Sequence, residues 1–307
     1  LRIKENMDVW RTVVQWSDDK LAEKIREDQI DILIDMSGNT AGDRLKVFAR
    51  HPAPVQITWI GYPGTTGIKA MDYILMENTV LPGKNINAQF TEKIIRIPRS
   101  YAFDVEEQLP DVTETPCVNN NFITFGSFNR LNKINREVIA LWCEVLRKLP
   151  DSRLQMAGMP SDGAPDELLT WFKEEEISED RLYFYPRSGF VEYLKLHNQV
   201  EFCLDTFPYT GGTTTMHALW MGVPTLTLIG DTYPSAQGGA VNNRAGLSQY
   251  FIADSQAEFV AKALFLAENK DILKNMKYSL RAHMVENYAG NLEALLNGFD
   301  KSVSIAW

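Results

Sequence analysis

The sequence predicts an α/β protein with two lobes, each built around a parallel, doubly wound sheet. Short apolar segments alternate with amphipathic segments, and strands that alternate with helices of about 10–15 residues indicate βαβ units. A polar, proline-bearing stretch without periodicity, residues 105–121, separates these units into two sets. The length of 307 residues, 45% of them hydrophobic, is sufficient for two cores.

The first lobe, assigned to residues 1–112, contains few strands. Apolar residues at a helical spacing that is interrupted near Ser17 predict a helix over residues 10–27, and residues 30–34 form a short apolar strand. The segment DRLKVFAR predicts a short helix that ends before Pro52 and Pro54. Further strands are predicted in VQITWI, MDYILM and EKIIRIP.

The second lobe, assigned to residues 113–289, alternates more regularly. The clearest helices cover residues 136–147 and 257–267. Six strands are predicted, in FITFGSF, RLQMAG, RLYFYP, EFCLD, PTLTLI and YFIA. A doubly wound sheet of this kind binds ligands at the carboxyl ends of its strands, so the loops that follow the strands are the candidate sites.

Composition and charge exclude several classes of protein. The net charge is −9 without a long basic block, which argues against non-specific nucleic-acid binding. No apolar run reaches the roughly 18 residues of a membrane span, and no signal peptide opens the chain. Cys117, Cys143 and Cys203 are widely spaced, as expected for reduced thiols in the cytoplasm. The first residue, Leu1, suggests a piece of a longer protein.

A glycine- and threonine-rich turn lies between a strand and a helix in CLDTFPYTGGTTTMHALWMGVPTLTL, residues 203–228. Gly211 and Gly212 would let the backbone approach a ligand closely. Thr213, Thr214 and Thr215 place hydroxyls beside the unpaired N–H groups of the first helical turn, which favour an anion. The alternative is an ordinary threonine N-cap.

A second loop of the same kind, NRLNKINRE, follows the strand FITFGSF. Asn135 is a candidate N-cap for the next helix, and Lys133 would lie at the same sheet edge as the threonine turn. A solvated loop lysine is the alternative for Lys133. Two candidate anion sites on one edge favour a diphosphate ligand.

The first lobe carries two loops of its own, DMSGNTAGDR and IGYPGTTGIKAMDY, for which substrate binding and plain surface turns are both open. Among four histidines without metal-ligand spacing, His217 is the functional candidate, four residues after Thr213. His51 and His197 are interpreted as structural. No Asp-x-Asp, no Walker phosphate loop and no Gly-x-Gly-x-x-Gly after a strand occurs, so no metal–diphosphate site of the Asp-x-Asp type is indicated.

Several long motifs occur together in one known family. HPAPVQITWIGYPGTTG, DYILME, FGSFNRLNKI, CLDTFPYTGGTTTMHALWMGVP and the closing aromatic of VSIAW follow in the family's order. The chain resembles the catalytic region of the O-linked N-acetylglucosaminyltransferase and SPINDLY family, glycosyltransferase family 41, in its bacterial tetratricopeptide-linked form. The resemblance covers nearly the whole chain.

The resemblance implies a GT-B fold with two Rossmann-like lobes and an inverting reaction that needs no metal and no cofactor. A sugar, expected to be GlcNAc from UDP-GlcNAc, would pass to Ser or Thr of a protein. Residues 1–112 would form the acceptor side, the C-terminal helix 290–307 would return to them, and residues 113–289 would bind the donor. Alternatives are an inactive nucleotide-sugar-binding fragment and a GT-B transferase with a non-protein acceptor.

The resemblance also implies roles for individual residues. Lys133 matches the family's diphosphate-binding lysine and is the catalytic candidate, and Thr213 and Thr214 match its threonine pair. Arg130 replaces a glutamine, Gly212 and His217 replace a histidine and an aspartate near the sugar, and Tyr193 replaces a histidine near the nucleotide. The full donor set is Asn129, Arg130, Lys133, Tyr193, Gly211, Gly212, Thr213, Thr214 and His217; the acceptor and sugar side is Gly61, Tyr62, Pro63, Gly64 and Thr65.

Parts of the family's architecture are absent from this sequence. The first lobe of relatives normally starts some tens of residues earlier, so we expect an incomplete first lobe. Helical repeats that bind protein acceptors precede the catalytic region in the family and are also missing here. The expectation is a truncated catalytic core whose partners are a nucleotide sugar and a protein acceptor, without nucleic acid or a membrane span.

Overall fold

A computed structural model describes residues 3–78, 85–98, 109–286 and 292–307. The chain divides into two compact units. The first unit comprises Leu1–Met76, Asn87–Ser100 and Gly298–Trp307, and the second comprises Glu77–Ile86 and Tyr101–Asn297. Part of the predicted linker, residues 105–108, lies outside the described residues; residues 109–121 are irregular apart from a 3-10 turn at Pro116–Val118.

The sheet of the first unit has four strands in the order of the chain. They are β1 (Ile32–Asp35), β2 (Val55–Thr58), β3 (Tyr73–Glu77) and β4 (Lys93–Ile97). β1 pairs with β2, and β2 with β3, in parallel. The helices of this region are α1 (Asp18–Glu27) and α2 (Leu45–Phe48), with 3-10 turns at Lys4–Asn6 and Ile86–Gln89.

The predicted helix over residues 10–27 is too long at its N-terminal end. The side chain of Ser17 accepts a hydrogen bond from the N–H of Lys20 (3.2 Å), which caps α1, and the preceding residues are not helical. The apolar residues before Ser17 therefore mimic a helical period without forming a helix. Val14 among them is 84% exposed.

The sheet of the second unit has six strands in the order β10-β9-β8-β5-β6-β7, and all its pairs are parallel. The chain runs from β5 to β7 on one side and then returns to place β8 on the other side of β5. β5 and β8 therefore flank the topological switch point, where ligands bind in open α/β sheets. The strands are β5 (Thr124–Ser127), β6 (Arg153–Met159), β7 (Leu182–Pro186), β8 (Phe202–Leu204), β9 (Thr225–Leu228) and β10 (Ile252–Ala253).

The described helices of the second unit are α3 (Arg136–Lys148), α4 (Asp166–Glu174), α5 (Phe190–Leu196), α6 (Thr213–Trp220), α7 (Tyr233–Arg244), α8 (Ser248–Phe251), α9 (Gln256–Glu268) and α10 (Lys270–Met284). The last helix, α11 (Leu292–Ala306), continues into the first unit. The predicted strand YFIA is wrong in its first half, because Tyr250 and Phe251 end α8 and the strand covers two residues.

Helix α3 anchors the core beside the switch point. Asn135 caps it as predicted, by accepting a hydrogen bond from the N–H of Val138 (2.9 Å). Trp142 is fully buried, and its indole N–H donates to the carbonyl of Asp205 (3.2 Å). Phe125 and Phe202 on the paired strands meet edge to face, 5.0 Å between ring centroids. The start of α3 and the end of β8 are thus fixed to one another.

The last helix ends in the first unit. Ala306 is buried with Ile57, Leu75, Ile95 and Ile97, and the ring of Phe299 lies 4.9 Å from that of Trp59. No described helix is both long and apolar enough to cross a bilayer. The three cysteines are buried and free, and burial raises the pKa of the Cys117 thiol to about 11.

A pair of glycines tests how tightly α10 packs. Gly222 and Gly246 end α6 and α7 in the same way, with φ of +68° and +71° and with equivalent hydrogen bonds back into the helix. A Cβ at Gly222 would lie 2.0 Å from the carbonyl oxygen of Lys277 on α10, whereas a Cβ at Gly246 would meet nothing within 4 Å.

We therefore expect Gly222→Ala to destabilise the fold more than its matched control. Gly246→Ala should cost about 1–2 kcal/mol for a left-handed alanine. Gly222→Ala should cost about 1–3 kcal/mol more, because α10 must shift. Urea unfolding of both variants measures the difference; equal losses would show that α10 yields without strain.

Candidate functional site

Two loops meet at the switch point of the second unit. The loop after β5 runs through a 3-10 turn, Leu131–Lys133, into α3, and the loop after β8 leads into α6. The Nζ of Lys133 donates to the carbonyl of Thr210 (2.8 Å) and lies 3.9 Å from the centroid of the Tyr209 ring. The structure thus brings together the two loops that the sequence singles out.

The N-terminus of α6 begins without a side-chain cap. Its N-cap residue is Gly212, and no described side chain caps it. Thr213 is the first helical residue and is exposed, so the alternative of an ordinary threonine N-cap is wrong. The first N–H groups of a helix have no intrahelical partner, and together with the helix dipole they attract negative charge.

The threonine hydroxyls differ in their surroundings. The hydroxyl of Thr214 donates to the side-chain oxygen of Asn129 (3.0 Å), which is itself buried. Thr215 is buried, and its hydroxyl has no partner within the described part of the chain. Only Thr213 of the three presents an exposed side chain. Asn129 therefore accepts a hydrogen bond from the first turn of α6.

Asp205, the residue that follows β8, lies at the centre of this loop and is not among the residues predicted from the sequence. It is 1% exposed, and its Oδ1 accepts from the N–H of Gly211 (2.8 Å) and from the side-chain amide of Asn129 (3.0 Å). Its Oδ2 accepts from the hydroxyl of Thr227 on β9 (2.8 Å). The available signal was an aspartate directly after an apolar strand in EFCLD.

The glycines of the turn serve the packing of the protein itself. A Cβ at Gly211 would lie 2.4 Å from the hydroxyl of Thr215, and one at Gly212 would lie 2.8 Å from the side chain of Gln237. These positions are therefore crowded by neighbouring side chains, which by itself requires glycine, and close approach to a ligand stays a prediction.

Lys133 supplies the positive charge of the site. Its side chain is partly buried, and burial lowers the pKa of its ammonium group. The carboxylate of Asp205 acts against this shift, and the exposed guanidinium of Arg130 on the same loop adds to it. The lysine of this loop is thus no solvated surface residue.

Tyr193 and His217 form an aromatic cluster with Phe190 beside α6. The Nδ1 of His217 lies 3.3 Å from the Tyr193 hydroxyl, and the Phe190 and His217 rings meet edge to face at 5.1 Å. Burial lowers the pKa of His217 to about 4. Near neutral pH His217 is therefore uncharged in this structure. His197 is fully buried against Phe128 (3.8 Å between centroids), as expected for a structural residue.

The predicted acceptor-side residues, Gly61 to Thr65, lie at the carboxyl edge of the first unit's sheet. A Cβ at Gly61 would lie 2.4 Å from the carbonyl oxygen of Met36, so this loop packs directly on the loop after β1. Tyr62 lies against Gly38 and Gly64, and Pro63 is buried.

A buried carboxylate holds this loop in place. Glu92, 5% exposed, accepts from the hydroxyl of Thr65 (2.7 Å) and from the N–H of Thr66 (2.7 Å). The loop is therefore braced on both flanks, unlike a plain surface turn. Within residues 3–78, 85–98, 109–286 and 292–307, no three His, Cys, Asp or Glu side chains are grouped to hold a metal ion.

Comparison with known proteins identifies relatives of this chain. The model of the family described as glycosyl transferase family 41 matches residues 8–121 and 106–291. A probable UDP-N-acetylglucosamine–peptide N-acetylglucosaminyltransferase SPINDLY of Hordeum vulgare is 33% identical over 303 residues, which are 97% of this chain and 32% of that protein. The probable transferase SEC of Arabidopsis thaliana is 30% identical, over 92% of this chain and 30% of its own length.

A solved structure resembles the chain closely. A mutant of the O-GlcNAc transferase of Thermobaculum terrenum has a TM-score of 0.88 and 31% identity, and the match covers 99% of this chain and 59% of that one. The expected α/β fold of GT-B type is thereby confirmed. The chain spans about a third of the length of the curated relatives it matches.

The buried imidazole of His217 predicts an acid-sensitive contribution to stability. A histidine with a depressed folded-state pKa stabilises the fold above its unfolded pKa of about 6.5, and this stability is lost as the pH falls. Since the folded pKa is about 4, we expect His217→Gln to lose less unfolding free energy than the unsubstituted chain between pH 6.5 and 4.

The expected difference is about 1–3 kcal/mol, because His217 is partly exposed. Urea unfolding of both proteins across this range measures it. Unfolding at pH 7.5, where the imidazole is neutral in both states, provides the reference. Identical pH slopes would mean that His217 titrates normally.

Proposed function

The chain belongs to glycosyl transferase family 41, and on this premise we propose that it transfers GlcNAc from UDP-GlcNAc to Ser or Thr of a protein. One observation carries the proposal: the ammonium of Lys133 and the uncapped N-terminus of α6 lie together at the switch point of the second unit. This pairing of a cation with free N–H donors suits a nucleoside diphosphate.

The proposed reaction inverts the anomeric centre. The acceptor oxygen forms a bond to the anomeric carbon on the face opposite the diphosphate, while the bond from that carbon to the phosphate oxygen breaks. UDP leaves with both bonding electrons, and the acceptor hydroxyl loses its proton to a base. Negative charge grows on the leaving diphosphate, and Lys133 with the N–H groups of Thr213 and Thr214 stabilises it, much as an oxyanion hole does.

In the proposed reaction, Lys133 and the N–H groups of α6 neutralise the charge of the leaving diphosphate, so that no metal ion is needed for this. This agrees with the absence of an Asp-x-Asp sequence. Tyr193 is proposed to lie near the nucleotide, and Gly212 and His217 near the sugar, with Asn129 and Arg130 completing the donor site. The identity of the sugar and nucleotide rests on relatives that are named UDP-N-acetylglucosamine transferases.

The acceptor side is assigned to the first unit. We assign contact with the sugar and the acceptor to Gly61–Thr65, whose loop is rigidly braced by Glu92. A protein acceptor would be recruited by helical repeats outside this chain. The proposed compartment is the cytoplasm, which agrees with three free thiols.

Substitution of Lys133 tests the donor site. Lys133→Ala should weaken UDP binding about 10–100-fold, because a buried ammonium–phosphate contact contributes more than an exposed one. It should lower transfer by about 10²–10³-fold, the usual loss for one preorganised donor. Calorimetric titration with UDP and GDP measures binding, and a peptide glycosylation assay measures transfer.

Lys148→Ala is the matched control, since this exposed lysine lies at the opposite end of α3. Both variants should unfold at the same temperature as the unsubstituted chain. Undiminished UDP affinity in Lys133→Ala would refute the assignment of the donor site. UDP binding without transfer by the unsubstituted chain would favour the nucleotide-sugar-binding fragment.

A further inference from the structure

We propose that Asp205 is the positioning residue of the anion site, because its buried carboxylate fixes the shape of the loop before α6 and supplies the counter-charge of Lys133. This inference rests on the proposed function, since it assumes that the site receives a nucleoside diphosphate. Asp205 itself is 1% exposed and would not touch the ligand.

The carboxylate fixes the loop through several strong hydrogen bonds. Oδ1 accepts from the N–H groups of Thr206 (2.9 Å) and Gly211 (2.8 Å), which are five residues apart. The loop between them, which carries Thr210, is thereby closed on a single oxygen atom. Hydrogen bonds to an ionised acceptor are about twice as strong as neutral ones, so the loop geometry depends on this group.

A relay extends from the carboxylate to the helix terminus. The side-chain amide of Asn129 donates to Asp205 Oδ1 (3.0 Å), and this orientation turns its carbonyl oxygen toward the hydroxyl of Thr214 (3.0 Å). The amide could not accept from Thr214 in this way if its nitrogen and oxygen were exchanged. Asp205 therefore sets the side-chain orientation of the first turn of α6 from the adjoining strand end.

The surroundings of the carboxylate exclude water. A Cβ at Gly238 on α7 would lie 2.5 Å from Oδ2, and one at Gly211 would lie 3.2 Å from Oδ1. Backbone atoms thus close over both oxygens. Electrostatic interactions in such a water-excluded place are stronger than at the surface.

The charge of Asp205 acts on Lys133. Burial lowers the pKa of the Lys133 ammonium, the positive charge of Arg130 lowers it further, and the negative charge of Asp205 opposes both effects. Burial raises the pKa of the Asp205 carboxyl, and the hydrogen bonds from Thr227 and Gly211 together with the charge of Lys133 oppose this shift and favour its ionised form. The charge of Asp205 thus works against the lowering of the Lys133 pKa by burial and by the neighbouring guanidinium.

Asp205→Asn removes the negative charge of residue 205 and leaves the conformation of the loop before α6 in place. The side-chain oxygen of asparagine can keep the three donors now on Oδ1, and its NH₂ can donate to the hydroxyl of Thr227. The variant therefore keeps the loop and loses the charge. Calorimetric titration with UDP from pH 6 to pH 10 is the test, since UDP affinity should fall as the pH rises through the pKa of Lys133.

We expect this fall to begin at a lower pH in Asp205→Asn, because the charge that opposes the lowering of the Lys133 pKa is removed, and the variant should bind UDP more weakly than the unsubstituted chain between the two midpoints. Glu201→Gln is the matched control, because Glu201 is 2% exposed at the opposite end of β8 and also accepts backbone N–H groups. It should change stability but leave the pH profile of UDP binding in place.

Asn129→Leu provides a second test that does not alter Asp205. This substitution removes the hydrogen bonds that connect Asp205 to Thr214 through Asn129, and it leaves the charge of Asp205 in place. It should therefore weaken UDP binding several-fold without changing the pH at which UDP affinity falls. A midpoint unchanged in Asp205→Asn, or full affinity in Asn129→Leu, would overturn the role of Asp205 while the proposed function stands. Failure of the unsubstituted chain to bind UDP, GDP or pyrophosphate would overturn the proposed function and this inference together.

Discussion

The pairing of β8 with β5 is the interaction on which the second unit's site depends. β5 is the first strand of this sheet in the chain and is flanked by β6 on one side and β8 on the other. The connections that leave β5 and β8 therefore diverge, and a crevice remains between their loops. Close pairing requires Gly126, since a Cβ there would lie within 3.2 Å of Cys203 and even nearer Phe128.

Both units use the same device at a strand end. In the first unit, Asp35 ends β1, accepts from the N–H groups of Ser37 and Gly38, and accepts from the hydroxyl of Thr58 on the neighbouring strand (2.8 Å). Asp205 repeats this pattern with Thr227 on β9. Each carboxylate satisfies backbone donors that a tight loop would leave unpaired. Only the second-unit pattern, as far as the described residues extend, adds an asparagine relay and a lysine.

The sequence predicted much of the fold because its strands are compact apolar runs followed by polar loops. Segments such as FITFGSF and EFCLD contain β5 and β8, and Asn135 caps α3 where expected. The order of the strands and the roles of Asp205 and Glu92 could not be read in this way. These carboxylates bind partners that are distant in sequence, and a local signal such as the aspartate that ends EFCLD does not identify those partners. The contacts of Gly211 and Gly212 with Thr215 and Gln237 also join residues that no local pattern connects.

The proposed site would have to attract an anion in a chain whose net charge is −9. His217 is neutral, so the positive potential comes from Lys133, Arg130 and the N–H groups of α6. Lys133 has three N–H donors and gives one to Thr210, which leaves two for phosphate oxygens. Thr210 is itself held, because its N–H and hydroxyl both donate to the carbonyl of Pro234. The ammonium of Lys133 is therefore held by a carbonyl that is itself fixed. In the proposed reaction, its position would change little when negative charge develops on the leaving diphosphate.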